Sequence, residues 1–332
     1  MTPGLQTQYM GLNLKSPLVA SASPLTRNVE NLLRLEDAGA GAAVLYSLFE
    51  EQIEGELRYY RNKWEGGTVP PPESETYLPA QETYAGNVAD YLRLVEAASQ
   101  RCDMPIIGSL NGTTTEGWVE YAREIEWAGA QALELNIFYV PTDITRSSAE
   151  VEQRYLEVVR AVKASVQIPV AVKLAPYFTS MGHIATQLVE AGADGLVLFN
   201  RFYEPDIDID HLDLENSLEL STPSETRLPL MWIGILYDQL PVSLAATSGV
   251  HSGRDLIKYL LAGADVAMTT SALMTQGMGA ITEMLGELQR WMEIREYRDL
   301  REMRGTLSRK HVKDPGAYAR ANYIKVLQSH PG

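Results

Sequence analysis

The chain has 332 residues, of which 45% are hydrophobic and 21% charged, and its formal net charge is −15 at pH 7. This acidity argues against nucleic acid or an anionic membrane surface as a partner, because both attract basic proteins. No apolar run approaches the roughly 18 residues of a membrane span, and the first residues lack the features of a signal peptide. With one cysteine, Cys102, the composition predicts a cytoplasmic protein.

Two sequence signals alternate along the chain and predict eight short strands. Four apolar runs begin with proline, which is tolerated as the first residue of a strand. Four others follow the tripeptide Ala-Gly-Ala, which suits the C-terminal cap of a helix. In chain order the signals are Pro17, Ala38–Ala40, Pro105, Ala128–Ala130, Pro169, Ala191–Ala193, Pro241 and Ala262–Ala264. Helical patterns between most runs predict an α/β fold, a (β/α)8 TIM barrel, with an open doubly wound sheet as the alternative.

The length and the regular repeat predict a single barrel domain over residues 1–332. Two insertions interrupt the repeat. Residues 50–84 follow the second strand and resemble a lid, whereas residues 201–230 follow the sixth strand and alternate in a way typical of extended structure. The tail at 281–332 is rich in Glu, Arg and Leu, and we expect it to be helical.

In a TIM barrel the functional residues lie where strands end, so these positions are the candidate site. Three asparagines and one lysine converge there, and the lysine, Lys173, suggests a bound negative charge. Small and hydroxyl residues after strands seven and eight suit a phosphate. No metal-spaced histidine cluster is present, so we expect no metal. The strand-end candidates are Ser21, Ser47, Asn111, Asn136, Lys173, Asn200, Ser248, Gly249, Thr270 and Ser271.

Several of these segments resemble the dihydroorotate dehydrogenase family, among them SPLVASAS, PIIGSLNG, GAQALELN, IPVAVKLAPYF, ATSGV and LLAGADVAMTTSAL. The resemblance implies a homodimeric flavoprotein that binds flavin mononucleotide (FMN). It places Lys173 beside the N1–C2=O edge of the flavin, where it stabilises the reduced, anionic form, and Asn136 between flavin and substrate. The cofactor-binding residues that it implies are Ala20, Ser21, Ser47, Asn111, Asn136, Lys173, Asn200, Ser248, Gly249, Thr270 and Ser271.

The chain departs from the family in the residues that handle the substrate. Tyr139 occupies the position of the catalytic Cys or Ser base, Pro141 replaces a substrate asparagine, and Tyr46 replaces a lysine. We therefore expect an oxidoreductase of the pyrimidine-metabolism type that transfers a hydride from a CH–CH group of a small substrate, for example a dihydropyrimidine, to flavin. Two alternatives stay open: an inactive flavin-binding homologue, and an aldolase-type lyase with a Schiff base on Lys173.

Overall fold

The computed structural model describes residues 3–49, 88–112, 115–137, 139–201, 204–215, 217–318 and 328. The insertion predicted as a lid, residues 50–84, lies outside these ranges. Within them, no helix is both long enough and apolar enough to cross a membrane.

The strands of the described ranges lie in one barrel and two small hairpins. In chain order they are β1 (Thr7–Tyr9), β2 (Leu12–Leu14), β3 (Leu18–Ala20), β4 (Ala42–Val44), β5 (Leu48–Phe49), β6 (Ile106–Asn111), β7 (Ala132–Asn136), β8 (Val170–Leu174), β9 (Gly195–Leu198), β10 (Asp206–Asp208), β11 (Asp213–Glu215), β12 (Ser243–Ala246) and β13 (Val266–Thr269).

Eight of these strands close into a parallel barrel. The order around it is β3, β4, β6, β7, β8, β9, β12 and β13, and β13 pairs with β3 to complete the ring. The short strand β5 adds to the carboxyl end of β6. Each barrel strand coincides with one of the eight predicted apolar runs, so the prediction of a TIM barrel is confirmed.

Helices alternate with the barrel strands and surround them. They are α1 (Val29–Asp37), α2 (Val88–Arg101), α3 (Thr115–Trp127), α4 (Ser148–Ser165), α5 (Met181–Glu190), α6 (Arg227–Leu236), α7 (Gly253–Ala262), α8 (Ser271–Gln276), α9 (Ala280–Ile294) and α10 (Leu300–Met303). The central glycine of each Ala-Gly-Ala tripeptide has φ between +102° and +126°. Because glycine alone adopts this conformation without strain, the tripeptide ends a helix and turns the chain into the next strand.

The barrel interior is filled from its amino-terminal end by a hairpin, β1–β2, for which the sequence analysis made no prediction. Its turn is Met10-Gly11, where both residues have positive φ. Tyr9, Met10 and Leu14 are buried and pack against apolar residues that point inward from the barrel strands. The hairpin therefore forms the floor of the barrel.

The two remaining segments lie after β9 and β13. Within the insertion at 201–230, β10 and β11 pair as an antiparallel hairpin, which agrees with the extended structure expected there. In the tail, α9 packs on α7 and buries Ile281, Met284, Leu288 and Met292. These additions leave the carboxyl ends of the barrel strands facing one cavity.

Candidate active site

A cavity of about 410 Å³ lies at the carboxyl ends of the barrel strands. This volume is in the range of ligand-binding pockets. Ten of the strand-end candidates line it, namely Ser21, Ser47, Asn111, Asn136, Lys173, Asn200, Ser248, Gly249, Thr270 and Ser271. The structure thus brings together residues that are up to 250 positions apart in the chain.

The inward face of the barrel changes from apolar to polar towards this cavity. Successive residues of a strand point to opposite faces, so Ala132, Glu134 and Asn136 of β7 share the inward face. Ala132 packs in the interior cluster, whereas Leu133 and Leu135 pack outward against the helices. On β8 the same alternation directs Ala171 and Lys173 inward. The polar residues therefore form the upper layer of the barrel core.

Lys173 and Glu134 form a buried ion pair in this layer. The ammonium Nζ of Lys173 lies 3.6 Å from Oε1 of Glu134, and the side chains are 11% and 1% exposed. The separation suits an ion pair but exceeds a normal hydrogen bond. Within the described part of the chain, neither carboxylate oxygen of Glu134 has a hydrogen-bond partner. Lys173 lines the cavity, so its charge acts on whatever binds there.

Two asparagines are held together next to Lys173. Nδ2 of Asn200 donates to Oδ1 of Asn136 at 2.6 Å, and Asn136 is the register partner of Lys173 on the neighbouring strand. Because its Oδ1 already accepts this bond, Asn136 is fixed with its Nδ2 available as a donor. Asn111, at the end of β6, is buried on the same rim. These amides offer neutral donors and acceptors around a positive charge.

The opposite side of the cavity has small residues with an unusual backbone. Ser248 and Gly249 have φ of +77° and +72°, which few residues other than glycine adopt readily. A Cβ on Gly249 would lie 2.7 Å from Cγ2 of Thr226 and 2.9 Å from the carbonyl oxygen of Thr222. Gly249 suits this backbone because glycine adopts positive φ without strain, whereas Ser248 is one of the few described non-glycine residues that adopt it.

Hydroxyl groups gather around this backbone. Oγ of Ser221 donates to Oγ of Ser271 at 2.8 Å and accepts from the amide of Gly249 at 3.3 Å. The amide of Ser221 donates to the same Ser271 oxygen. Ser271 accepts both bonds from Ser221 and so keeps its own hydroxyl hydrogen to donate at the cavity, where a hydroxyl beside positive-φ backbone suits an anion such as a phosphate.

Two arginines and a tyrosine complete the rim. The Arg27 guanidinium lies 4.9 Å from the ring centroid of Tyr46, and Arg201 pairs with Glu225 at 2.7 Å. Burial raises the pKa of the Tyr46 phenol, and the Arg27 charge offsets only part of that rise. Tyr46 places a phenol hydroxyl among the residues that line the cavity.

Two of the predicted site residues lie elsewhere. Tyr139 does not line the cavity in the described structure, and its ring packs under the Arg154 guanidinium, 4.6 Å from its centroid. Ala20 ends β3 and is fully buried, while its neighbours Ser21 and Ala22 reach the cavity. In the described ranges, no group of three or more His, Cys, Asp or Glu could hold a metal ion.

Several residues in or beside the site were not predicted from the sequence, among them Arg27, Arg201, Ser221 and Glu134. Glu134 lies within β7 and not at its end, although its spacing of two from Asn136 places both residues on one face of the strand. Ser221 comes from the insertion after β9, and no local pattern connects it with β12 and β13. A charged residue inside an apolar strand was thus a usable signal, whereas the approach of a distant loop was not.

Comparison with known proteins agrees with this architecture. A sequence profile described as dihydroorotate dehydrogenase matches residues 4–292. The chain is 28% identical over 295 residues to the dihydroorotate dehydrogenase B (NAD(+)) catalytic subunit of Methanocaldococcus jannaschii, covering 86% of this chain and 92% of the relative. It is 27% identical to the protein of that name from Desulforudis audaxviator, over 90% of this chain and 96% of the relative. The chain belongs to the dihydroorotate dehydrogenase family.

Proposed function

We propose that this protein is an FMN-dependent oxidoreductase that acts on a CH–CH group of a small substrate. The observation that carries the proposal is the arrangement of the cavity, where the Lys173 ammonium lies on one side and a phosphate-type cradle on β12 and β13 on the other. FMN has a phosphate at one end and a ring that gains negative charge on reduction at the other. The two sides of the cavity match these two ends.

The residues present fit the cofactor on structural grounds. Gly249 packs against Thr222 and Thr226 with no room for a Cβ, so these neighbours fix its backbone at the edge of the cavity. The Ser271 hydroxyl accepts both bonds from Ser221 and so keeps its own hydrogen to donate, and Ser248 adds a second hydroxyl at the cavity. On the ring side, Asn111, Asn136, Lys173 and Asn200 would face the flavin, with Ser21 and Ser47 along its edge.

Lys173 and the paired asparagines would then have separate tasks. Bound FMN supplies a site that accepts a hydride from the substrate. The Lys173 charge stabilises negative charge that builds up in the cavity, because the interior around it is shielded from water. The Asn200–Asn136 hydrogen bond holds both amides in place and leaves the NH₂ group of Asn136 available as a donor.

The substrate-binding half differs from the family in Tyr46, Tyr139 and Pro141, so we propose that dihydroorotate itself is turned over poorly. A related dihydropyrimidine is the substrate class that suits the retained amides. An inactive flavin-binding homologue is the alternative. The relatives from Methanocaldococcus jannaschii and Desulforudis audaxviator are named catalytic subunits, so the proposal includes a partner that accepts electrons. The proposal also includes a homodimer, which the family resemblance implies.

One observation favours a second candidate function. A Schiff-base lyase requires an acid or base beside its lysine, and Glu134 lies 3.6 Å from Lys173. This mechanism needs no flavin and uses the same cradle for the phosphate of a carbonyl substrate. Borohydride trapping of a sugar phosphate on Lys173 would support it.

The visible spectrum of the freshly purified protein is the first test, followed by anaerobic addition of dihydroorotate. We expect the purified protein to show flavin absorption bands. We also expect added dihydroorotate to bleach these bands slowly or not at all. Rapid bleaching would contradict the proposal of poor dihydroorotate turnover and identify an active dehydrogenase. A colourless protein that also fails to bind added FMN would overturn the flavin proposal.

A further inference from the structure

Glu134 lies behind the cavity rather than in its lining, and its position is unusual. It lies inside the barrel, is 1% exposed, and within the described residues makes no hydrogen bond through either oxygen. An ionised carboxylate in such a place costs free energy unless an opposite charge compensates it. The Lys173 ammonium, 3.6 Å away, is that charge.

The pair is asymmetric with respect to the cavity. Lys173 lines the cavity, where it can meet solvent or a ligand, whereas Glu134 is not among the lining residues. On β7, Glu134 is one inward position below Asn136, the register partner of Lys173. Glu134 therefore approaches the ammonium from the barrel interior and leaves its outer side to the ligand.

We infer that Glu134 is a positioning residue whose charge holds the Lys173 ammonium at the barrel mouth and offsets part of its field on the bound flavin. This inference rests on the proposed function. A carboxylate behind the ammonium lowers the net positive charge that the cavity presents. Reduction adds negative charge to the flavin, so Glu134 makes the flavin harder to reduce than Lys173 alone would.

The first measurement is the equilibrium between bound flavin and a reference redox dye, for wild type and Glu134→Gln. Glutamine has the shape of glutamate without its charge. We expect the equilibrium constant for flavin reduction to rise about ten-fold in the variant, which corresponds to about 30 mV for a two-electron couple. Glu134→Asp keeps the negative charge, so its equilibrium constant for flavin reduction should be close to that of wild type.

Glu124→Gln is the matched control, because it makes the same charge change on the outer helix α3, outside the residues that line the cavity. It should leave the equilibrium constant unchanged. Circular dichroism and the flavin content report whether each variant folds and retains FMN. If Glu134→Gln retains FMN and its equilibrium constant equals that of wild type, the inference is wrong.

A second measurement needs no flavin and separates this inference from the proposed function. Trace acetylation with acetic anhydride, followed by peptide mass spectrometry, gives the reactivity of Lys173 relative to Lys163, which pairs with Asp194 instead. Acetic anhydride reacts with the neutral amine, and a nearby carboxylate favours the charged ammonium instead. In Glu134→Gln this carboxylate is lost, so we expect Lys173 to react at least about five-fold faster. An unchanged ratio overturns the pairing. A wild type that binds no FMN overturns the proposed function and the effect on flavin, whereas the acetylation ratio still tests the pairing of Glu134 with Lys173.

Discussion

Strands β7, β8 and β9 bring a charged pair and two amides to one side of the cavity, whereas β12 and β13 bring hydroxyls and small residues to the other. On the first side the side chains carry the chemistry, and the backbone is regular. On the second side the backbone itself is shaped, with two successive positive φ angles. A single substitution can remove a charge from the first side. The backbone of the second side instead depends on Gly249, which has no side chain.

The largest expected effect is on the charged side. Lys173→Met leaves the Glu134 carboxylate buried without a counter-ion, and we expect the free energy of unfolding to fall by about 3 kcal/mol. Chemical denaturation at neutral pH measures it. Lys163→Met is the control, because the Lys163–Asp194 pair is partly exposed and its loss should cost at most about 1 kcal/mol.

The double variant Lys173→Met/Glu134→Leu sharpens this test. Since it removes both charges, we expect it to recover most of the stability that Lys173→Met loses. Equal stability of the single and double variants would contradict the view that an uncompensated carboxylate causes the loss.

An intermediate effect is expected on the cradle side. Gly249→Ala places a Cβ against Thr226 and the carbonyl of Thr222 at positive φ, and we expect a loss of about 2 kcal/mol in stability. FMN affinity, measured by flavin fluorescence, should fall about ten-fold because a shifted backbone disturbs the amide donors.

Gly277→Ala is the control for Gly249→Ala. Gly277 has φ of +83°, but no atom of the described residues lies within 4 Å of the place that a Cβ would take. It should lose about 2 kcal/mol from backbone strain alone, because its φ and ψ of 83° and 173° are essentially restricted to glycine, and bind FMN as wild type does. Similar losses of FMN affinity in both variants would show that the cradle has no special role.

The smallest effect is expected just beyond the charged side, at Tyr139. Tyr139→Phe keeps the ring under Arg154, so the melting temperature should stay within about 2 °C of wild type. Anaerobic flavin reduction by a dihydropyrimidine that reduces the wild type should slow by less than about three-fold, because the ring lies outside the cavity lining. A loss of about 100-fold would instead identify Tyr139 as the base.

The sequence predicted the barrel well because its signals are local. Proline at a strand start and glycine at a helix end act through their own backbone, and both signals mark the right strands. The site was predictable only where it follows from strand ends, as for Lys173 and Asn136. The contact of Ser221 with Ser271 and Gly249 depends on a loop returning over 28 to 50 residues. No local pattern carries that information.

The hairpin β1–β2 at the floor of the barrel also lies close enough to the site to feel the charge of Glu134. Burial raises the pKa of the Tyr9 hydroxyl at the floor, and the Glu134 charge raises it further. The Glu134 charge therefore acts on the hairpin on one side and on Lys173 on the other. Tyr9 and Glu134 are both buried inside the barrel and outside the residues that line the cavity, so a substitution at Tyr9 changes the surroundings of Glu134 while the cavity lining stays the same.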